Sequence, residues 1–247
     1  MNEVIIDESE RRQYTEFKRK INLQAAQAQV KKIEYNLTDA AVEKSTLRRA
    51  CQDATSLKLG AVCVLPSLVK SCVSFLGPQP QSSVIACISY PHGGDSLKTK
   101  VAAVKNAFKD GADEAEVTVP LAFIKDGNWS YLRREFKKVK KAAKKHAVRI
   151  NVESAFLTPQ EVTKVCSVAV DCGITSLRSS NDMRCGGGFD AETVSRMHSV
   201  VKDKCTLKAD GITNVTDMNA AVDMGASVIG SKNATDLARL ILQTADE

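Results

Sequence analysis

The sequence predicts an α/β protein, a single (β/α)8 TIM barrel with an extra N-terminal helix. Three observations carry that prediction. Short apolar runs alternate with longer amphipathic segments along the chain, which implies parallel strands joined by crossover helices. The length, 247 residues, matches the roughly 250 residues typical of one closed barrel of this kind. Gly60, Gly111, Gly173 and Gly225 each follow an amphipathic segment and precede an apolar run, where a left-handed residue would end a helix. The intervals between these glycines each hold two strand–helix units. An open doubly wound sheet is the alternative, and no GxGxxG follows the first strand to favour it.

Residues 1–30 read as an N-terminal helical extension and residues 31–247 as the barrel. Between Glu8 and Gln29, Tyr14, Phe17, Ile21 and Ala25 recur at helical spacing. Strands are expected to begin near Lys32 (Ile33 to Leu37), Ala61, Val84, Ala115, Val148, Ile174, Thr206 and Ser227. Thr158, Pro159 and Glu161 carry a helix start: a threonine N-cap, a proline at the first helical position and a glutamate completing a capping box. The most basic stretch, Arg133 to Arg149, places Leu132, Phe136, Val139 and Ala143 on one stripe, so it reads as an amphipathic helix with a basic outer face. That face, Arg133 to Lys145, is a candidate docking surface for an acidic protein. No aromatic residues interleave with its lysines, so nucleic acid is not expected.

Composition narrows the functional classes. A hydrophobic content of 43% with 26% charged residues is ordinary for a globular domain. A net charge of +6 suits anionic small molecules such as sugar phosphates. The eight cysteines are scattered, without a CxxC pair, and read as small buried hydrophobes in a reducing compartment; no metal site is expected. No secretory leader or membrane-length apolar run is visible, so a cytoplasmic protein is expected.

In such a barrel the functional groups stand at the C-terminal ends of the strands. Read in order, these ends offer Glu34 and Asn36, Cys63, His92, Glu116 and Thr118, Glu153, Arg178, Lys208, and then Gly230, Ser231 and Lys232. Carboxylates and cations converging on one mouth are more than a structural core needs. For His92 a loop hydrogen bond is the plainer reading, for His146 and His198 a surface position. For Glu153 it is an internal ion pair with Arg149 or Lys208.

Several short motifs stand at these strand ends: Ala61-Val62-Cys63-Val64-Leu65-Pro66, Tyr90-Pro91-His92-Gly93, Gly111-Ala112-Asp113-Glu114, Lys125-Asp126-Gly127-Asn128 and Val152-Glu153. Through them the chain resembles the deoxyribose-phosphate aldolase family over roughly Ile33 to Leu242. The resemblance implies a class I aldolase that cleaves 2-deoxyribose 5-phosphate to acetaldehyde and glyceraldehyde 3-phosphate, with no cofactor. It also implies a homo-oligomer, since the family is commonly dimeric or tetrameric. In the family a strand-six lysine forms the Schiff base, a strand-seven lysine lowers its pKa and a strand-four aspartate relays protons. By position these are Arg178, Lys208 and Glu116.

Arg178 is the severe departure, because a guanidinium stays protonated and is no useful nucleophile. Glu116 moves the family's carboxylate out by one methylene. The resemblance places phosphate on Gly186, Gly187, Gly188, Gly211, Gly230 and Ser231, with Lys232 where a serine is expected. Asp182 puts a negative charge beside that place, and Arg184 and Lys232 are compensating cations. Of the family's glycine pair after strand seven, only Gly211 remains. The expectation is therefore an aldolase-like barrel without the retro-aldol reaction, keeping a phosphosugar or anion site or acting as an interaction protein. The alternative is an active aldolase with Lys208 as the Schiff-base lysine, its pKa depressed by Arg178.

Overall fold

A computed structural model describes residues 8–180 and 188–246. The chain opens with helix α1 (Glu8–Val30) and then runs β1 (Ile33–Leu37), α2 (Lys44–Leu57), β2 (Ala61–Val64), α3 (Val69–Leu76), β3 (Ser83–Ile88), α4 (Leu97–Lys109) and β4 (Glu114–Thr118). It continues through α5 (Leu121–Lys125), α6 (Trp129–Ala143), β5 (Ala147–Asn151), α7 (Pro159–Asp171), β6 (Ser176–Arg178) and α8 (Ala191–Val201). It ends with β7 (Thr206–Ala209), α9 (Val215–Asp223), β8 (Val228–Ser231) and α10 (Ala234–Thr244). The strands pair in parallel in sequence order, and β8 closes on β1 through Glu34 opposite Gly230. The (β/α)8 barrel expected from the alternation is thus the architecture, not the open sheet.

Alternate strand positions face opposite ways, and here the two sets differ in chemistry. The outward set, with Val62, Val64, Val84, Ala115, Val117, Ile150, Leu177 and Ile229, packs under the helices in one apolar layer. The inward set is divided. Ala61, Cys63, Ile85 and Cys87 on β2 and β3 form a small separate apolar cluster. The wall from β4 to β7, together with β1, lines the interior with the buried residues Glu34, Asn36, Glu116, Arg149, Asn151, Arg178 and Lys208.

Helix α1 packs on α10 through its C-terminal part, where Ala26 and Val30 are buried. Arg19 pairs with Asp246 at 2.7 Å. Tyr14, Phe17 and Ile21 are exposed. The capping box at Thr158 forms as expected, with Thr158 accepting from Glu161 N and Glu161 accepting from Thr158 N.

Three element boundaries differ from the expectation for identifiable reasons. Strand β6 begins at Ser176 rather than Ile174, because the amides of Gly173 and Ile174 turn back onto the carbonyls of Val170 and Ala169 to close α7. The basic stretch is helical only to Ala143; Lys144 takes φ +57 and the rest turns into β5, carrying Arg149 into the barrel. Gly60 is not a left-handed helix end. That conformation falls on Lys58 at φ +60, and Gly60 is needed for close approach, since a Cβ there would lie 2.4 Å from the Lys31 carbonyl oxygen. Gly111, Gly173 and Gly225 do have positive φ.

Candidate active site

The strand ends that the sequence singles out meet in one buried ion network. Parallel pairing in register sets Arg178 on β6 beside Lys208 on β7, and Glu116 on β4 beside Arg149 on β5. Arg178 is buried and pairs with Glu116; its Nε donates to the Ser180 carbonyl at 2.8 Å and lies 2.7 Å from Asp210 Oδ2. Lys208 is fully buried, with its Nζ 2.8 Å from Glu34 Oε2, 2.9 Å from Asn36 Oδ1 and 3.4 Å from Cys63 Sγ. Those three partners match the three protons of an ammonium. Glu116 Oε2 and Asp210 Oδ2 stand farther off, at 3.7 and 3.6 Å.

Beneath this pair Arg149 closes the network. It forks onto Glu34 at 2.6 and 2.8 Å, reaches Glu114 at 3.2 Å and Glu116 at 3.3 Å, and donates to Ser176 Oγ at 3.0 Å. Three cations therefore share four carboxylates, Glu34, Glu114, Glu116 and Asp210. Burial without partners would cost such charges several kcal/mol each, so the set is held by mutual pairing.

The electrostatics follow from that arrangement. Burial alone would lower the Lys208 ammonium, but Cys63, Glu34 and Glu116 outweigh both burial and the repulsion of Arg178, and raise it above the ordinary lysine value. The depression expected from Arg178 is present in sign but is outweighed by Cys63, Glu34 and Glu116 together. Burial would likewise raise Glu116, yet Arg178, Lys208 and Arg149 bring it down to about 2. Glu34 is lowered too, against burial, chiefly by Arg149 and Lys208. Glu114 goes the other way, since burial prevails over Arg149.

Of the residues expected on the phosphate side, Gly211, Gly230 and Ser231 stand at the ends of β7 and β8. Gly186 and Gly187, with Asp182 and Arg184, lie outside the described residues. Gly188 stands against Gly211: a Cβ on Gly211 would come 2.9 Å from the Gly188 carbonyl carbon, and Gly211 has φ +77. The Gly211 amide donates to Asp210 Oδ1 at 2.9 Å. Gly230 lies under the ion network, where a Cβ would meet Asp210 Oδ2 at 2.2 Å and Lys208 Cε at 2.6 Å. Ser231 is buried, and its Oγ accepts from the Asn233 amide at 3.0 Å. Lys232 is exposed and lines a cavity of about 270 Å3 with Thr38, Leu65 and Tyr90.

Sequence reasoning missed Asp210 and the central role of Arg149. Asp210 lies two residues beyond Lys208, next to Gly211, and was passed over for that glycine. Arg149 was hidden in the basic stretch. Glu153 was expected to pair with Arg149 or Lys208, but the partners of those two cations are the ones named above; Glu153 receives the Asn151 amide at 2.5 Å. His92 is exposed in its loop, while His146 stacks on Phe108 and His198 packs against Gly225. Among the described residues no group of three or more His, Cys, Asp or Glu is arranged to hold a metal, and no helix is long and apolar enough to cross a membrane. The seven described cysteines are buried and free.

The sequence model of DeoC/LacD family aldolases matches residues 25–172, more than half of the chain. The chain belongs to this family. Among relatives of the DeoC/LacD aldolases, the deoxyribose-phosphate aldolase of Caldicellulosiruptor saccharolyticus is 29% identical over 205 residues, covering 81% of this chain and 92% of the relative. That of Clostridium botulinum strain Langeland is 28% identical over 209 residues, covering 85% and 98%. Two solved structures share the fold. The aldolase QR15 superposes with a TM-score of 0.82 at 22% identity, over 87% of this chain and 96% of its own. The deoxyribose-phosphate aldolase of Aeropyrum pernix, described as a unique tetramer, gives 0.77 at 19% identity, over 90% and 94%.

Proposed function

We propose that this DeoC/LacD family member does not carry out Schiff-base retro-aldol chemistry, and that it acts by binding. One observation carries the reading. Both cations at the positions to which the resemblance assigns the amine chemistry are committed to buried ion pairs, Arg178 to Glu116 and Asp210, Lys208 to Glu34 and Asn36. An amine must shed its proton before it attacks a carbonyl, and Lys208 is biased toward keeping it. Arg178 supplies no amine at all. The anion site is altered in the same direction, because the Gly211 and Asn233 amides are taken by Asp210 and Ser231. Each is a donor that a phosphate near the ends of β7 and β8 would otherwise use.

The test is a retro-aldol assay of purified protein with 2-deoxyribose 5-phosphate, followed by borohydride trapping and peptide mass mapping. We expect no turnover above the buffer control and no adduct. A reduced adduct on the peptide carrying Lys208, abolished by Lys208→Ala, would overturn the reading in favour of an active aldolase with Lys208 as nucleophile.

A further inference from the structure

We propose that the outer face of α4 and α6 is a docking surface for an acidic protein segment. Lys137, Lys138 and Lys141 on α6, Lys144 and Lys145 just beyond it, and Lys105 and Lys109 on the adjoining α4 are all exposed. Among the described residues none of these seven has a carboxylate within ion-pair distance, whereas the flanking Lys125 and Arg133 pair with Glu161 and Asp171. The only acid on α6 is Glu135, and it is buried on Lys100 at 2.7 Å. It does not neutralise the face. Lys100 also donates to the Thr118 carbonyl at 2.8 Å, so the pair ties α4 and α6 to β4 and holds the face rigid.

Like charges repeat at i and i+4 along α6, Arg133 with Lys137, Arg134 with Lys138 and Lys137 with Lys141. Such pairs destabilise a helix. Arg133 is offset by Asp171, whereas Lys137, Lys138 and Lys141 have no carboxylate within ion-pair distance among the described residues, and an outside anion would relieve them. Two shallow grooves run between the cations. One of about 440 Å3 is lined by Ser130, Arg133, Arg134, Lys137, Lys138 and Lys141. The other, about 450 Å3, has Phe108, Ala142, Ala143 and His146 between Lys105, Lys109 and Lys144. The occupant therefore carries carboxylates together with at least one apolar or aromatic side chain. From Arg133 to Lys145 the face is roughly 18 Å long, room for about five or six residues of extended chain. Nucleic acid fits less well, because base stacking needs an open ring face. Phe123 and Tyr131 stack on each other at 3.7 Å with Arg134 over Tyr131, and Phe108 stacks on His146 at 4.3 Å.

The inference rests on the reading that the protein acts by binding, but it is read by a separate experiment: a retro-aldol result leaves the docking result untouched, and the reverse. Fluorescence anisotropy is measured with three labelled probes, a random glutamate–tyrosine copolymer, polyglutamate and single-stranded poly-dT, and co-sedimentation with phosphatidylserine vesicles. The copolymer should bind more tightly than the other three, and more weakly as salt rises. The triple variant Lys137→Glu, Lys141→Glu, Lys144→Glu should weaken it at least tenfold with an unchanged circular dichroism spectrum. The corresponding triple arginine variant should retain binding. No copolymer binding, preference for poly-dT or vesicles, or indifference of a folded charge-reversed variant would each overturn the proposal.

Discussion

Arg178 does from its place what a lysine could not. Its planar fork reaches Glu116, Asp210 and the Ser180 carbonyl at once, and burial does not deprotonate a guanidinium. Placing an amine there tests the proposal that this site does not carry Schiff-base chemistry. In Arg178→Lys alone the new ammonium would still sit between two carboxylates, both favouring its charged form. We expect no borohydride-trappable adduct with 2-deoxyribose 5-phosphate. Adding Asp210→Gly removes one of those carboxylates and frees the Gly211 amide, and the double variant should give a detectable adduct on residue 178. An adduct in the single variant would show that Asp210 does not keep an amine at this position protonated.

At the scale of elements, β8 leaves room for the network at Gly230, which presents no side chain. Gly230 faces β1 at Glu34 and lies against Asp210 and Lys208. A methyl there must displace the Asp210 carboxylate and the Lys208 side chain, so Gly230→Ala should destabilise by about 1–3 kcal/mol, the range for overpacking. Gly94→Ala is the control: a Cβ at Gly94 meets nothing within 4 Å, and a shift within about 0.5 kcal/mol is expected. Urea unfolding of both variants decides it; equal effects would mean that Gly230 is not filled against the network. Gly230 also shows the limit of reading elements from sequence. The alternation and the capping box at Thr158 were legible because they depend on neighbours within one turn. Gly230 was read as a phosphate loop residue, and its steric role appears only when β7 and β8 lie side by side. Gly60 is the same case, since the carbonyl it must admit belongs to Lys31, on the other side of β1 and α2.

Across the whole molecule, the barrel was legible while the closure of its interior was not. Glu34 and Arg149 are 115 positions apart, and Lys208 and Asn36 are 172 apart; no local pattern links them, and only the register of a closed sheet does. A network drawn from β1 and β4 to β7 should control how the entire fold responds to acid. Glu116 titrates near 2 when folded and from the ordinary 4.5 when unfolded; Glu34 is shifted in the same direction. The folded-state values are depressed, so the stabilisation is complete above the unfolded value and is lost as pH falls through the folded one. For Glu116 the shift corresponds to about 3 kcal/mol, disappearing between roughly pH 5 and pH 2. Glu114 opposes this in part, because its raised value favours the folded state on protonation. Lys208, raised, adds stability that is present below the unfolded lysine value and is lost at higher pH. Urea midpoints measured from pH 2 to pH 11 should therefore show a plateau bounded by an acid limb and an alkaline limb. In Glu116→Gln the acid limb should flatten, with the difference from the parent narrowing as pH falls toward 2. An acid limb unchanged by that substitution would place the acid-labile carboxylates outside the barrel interior.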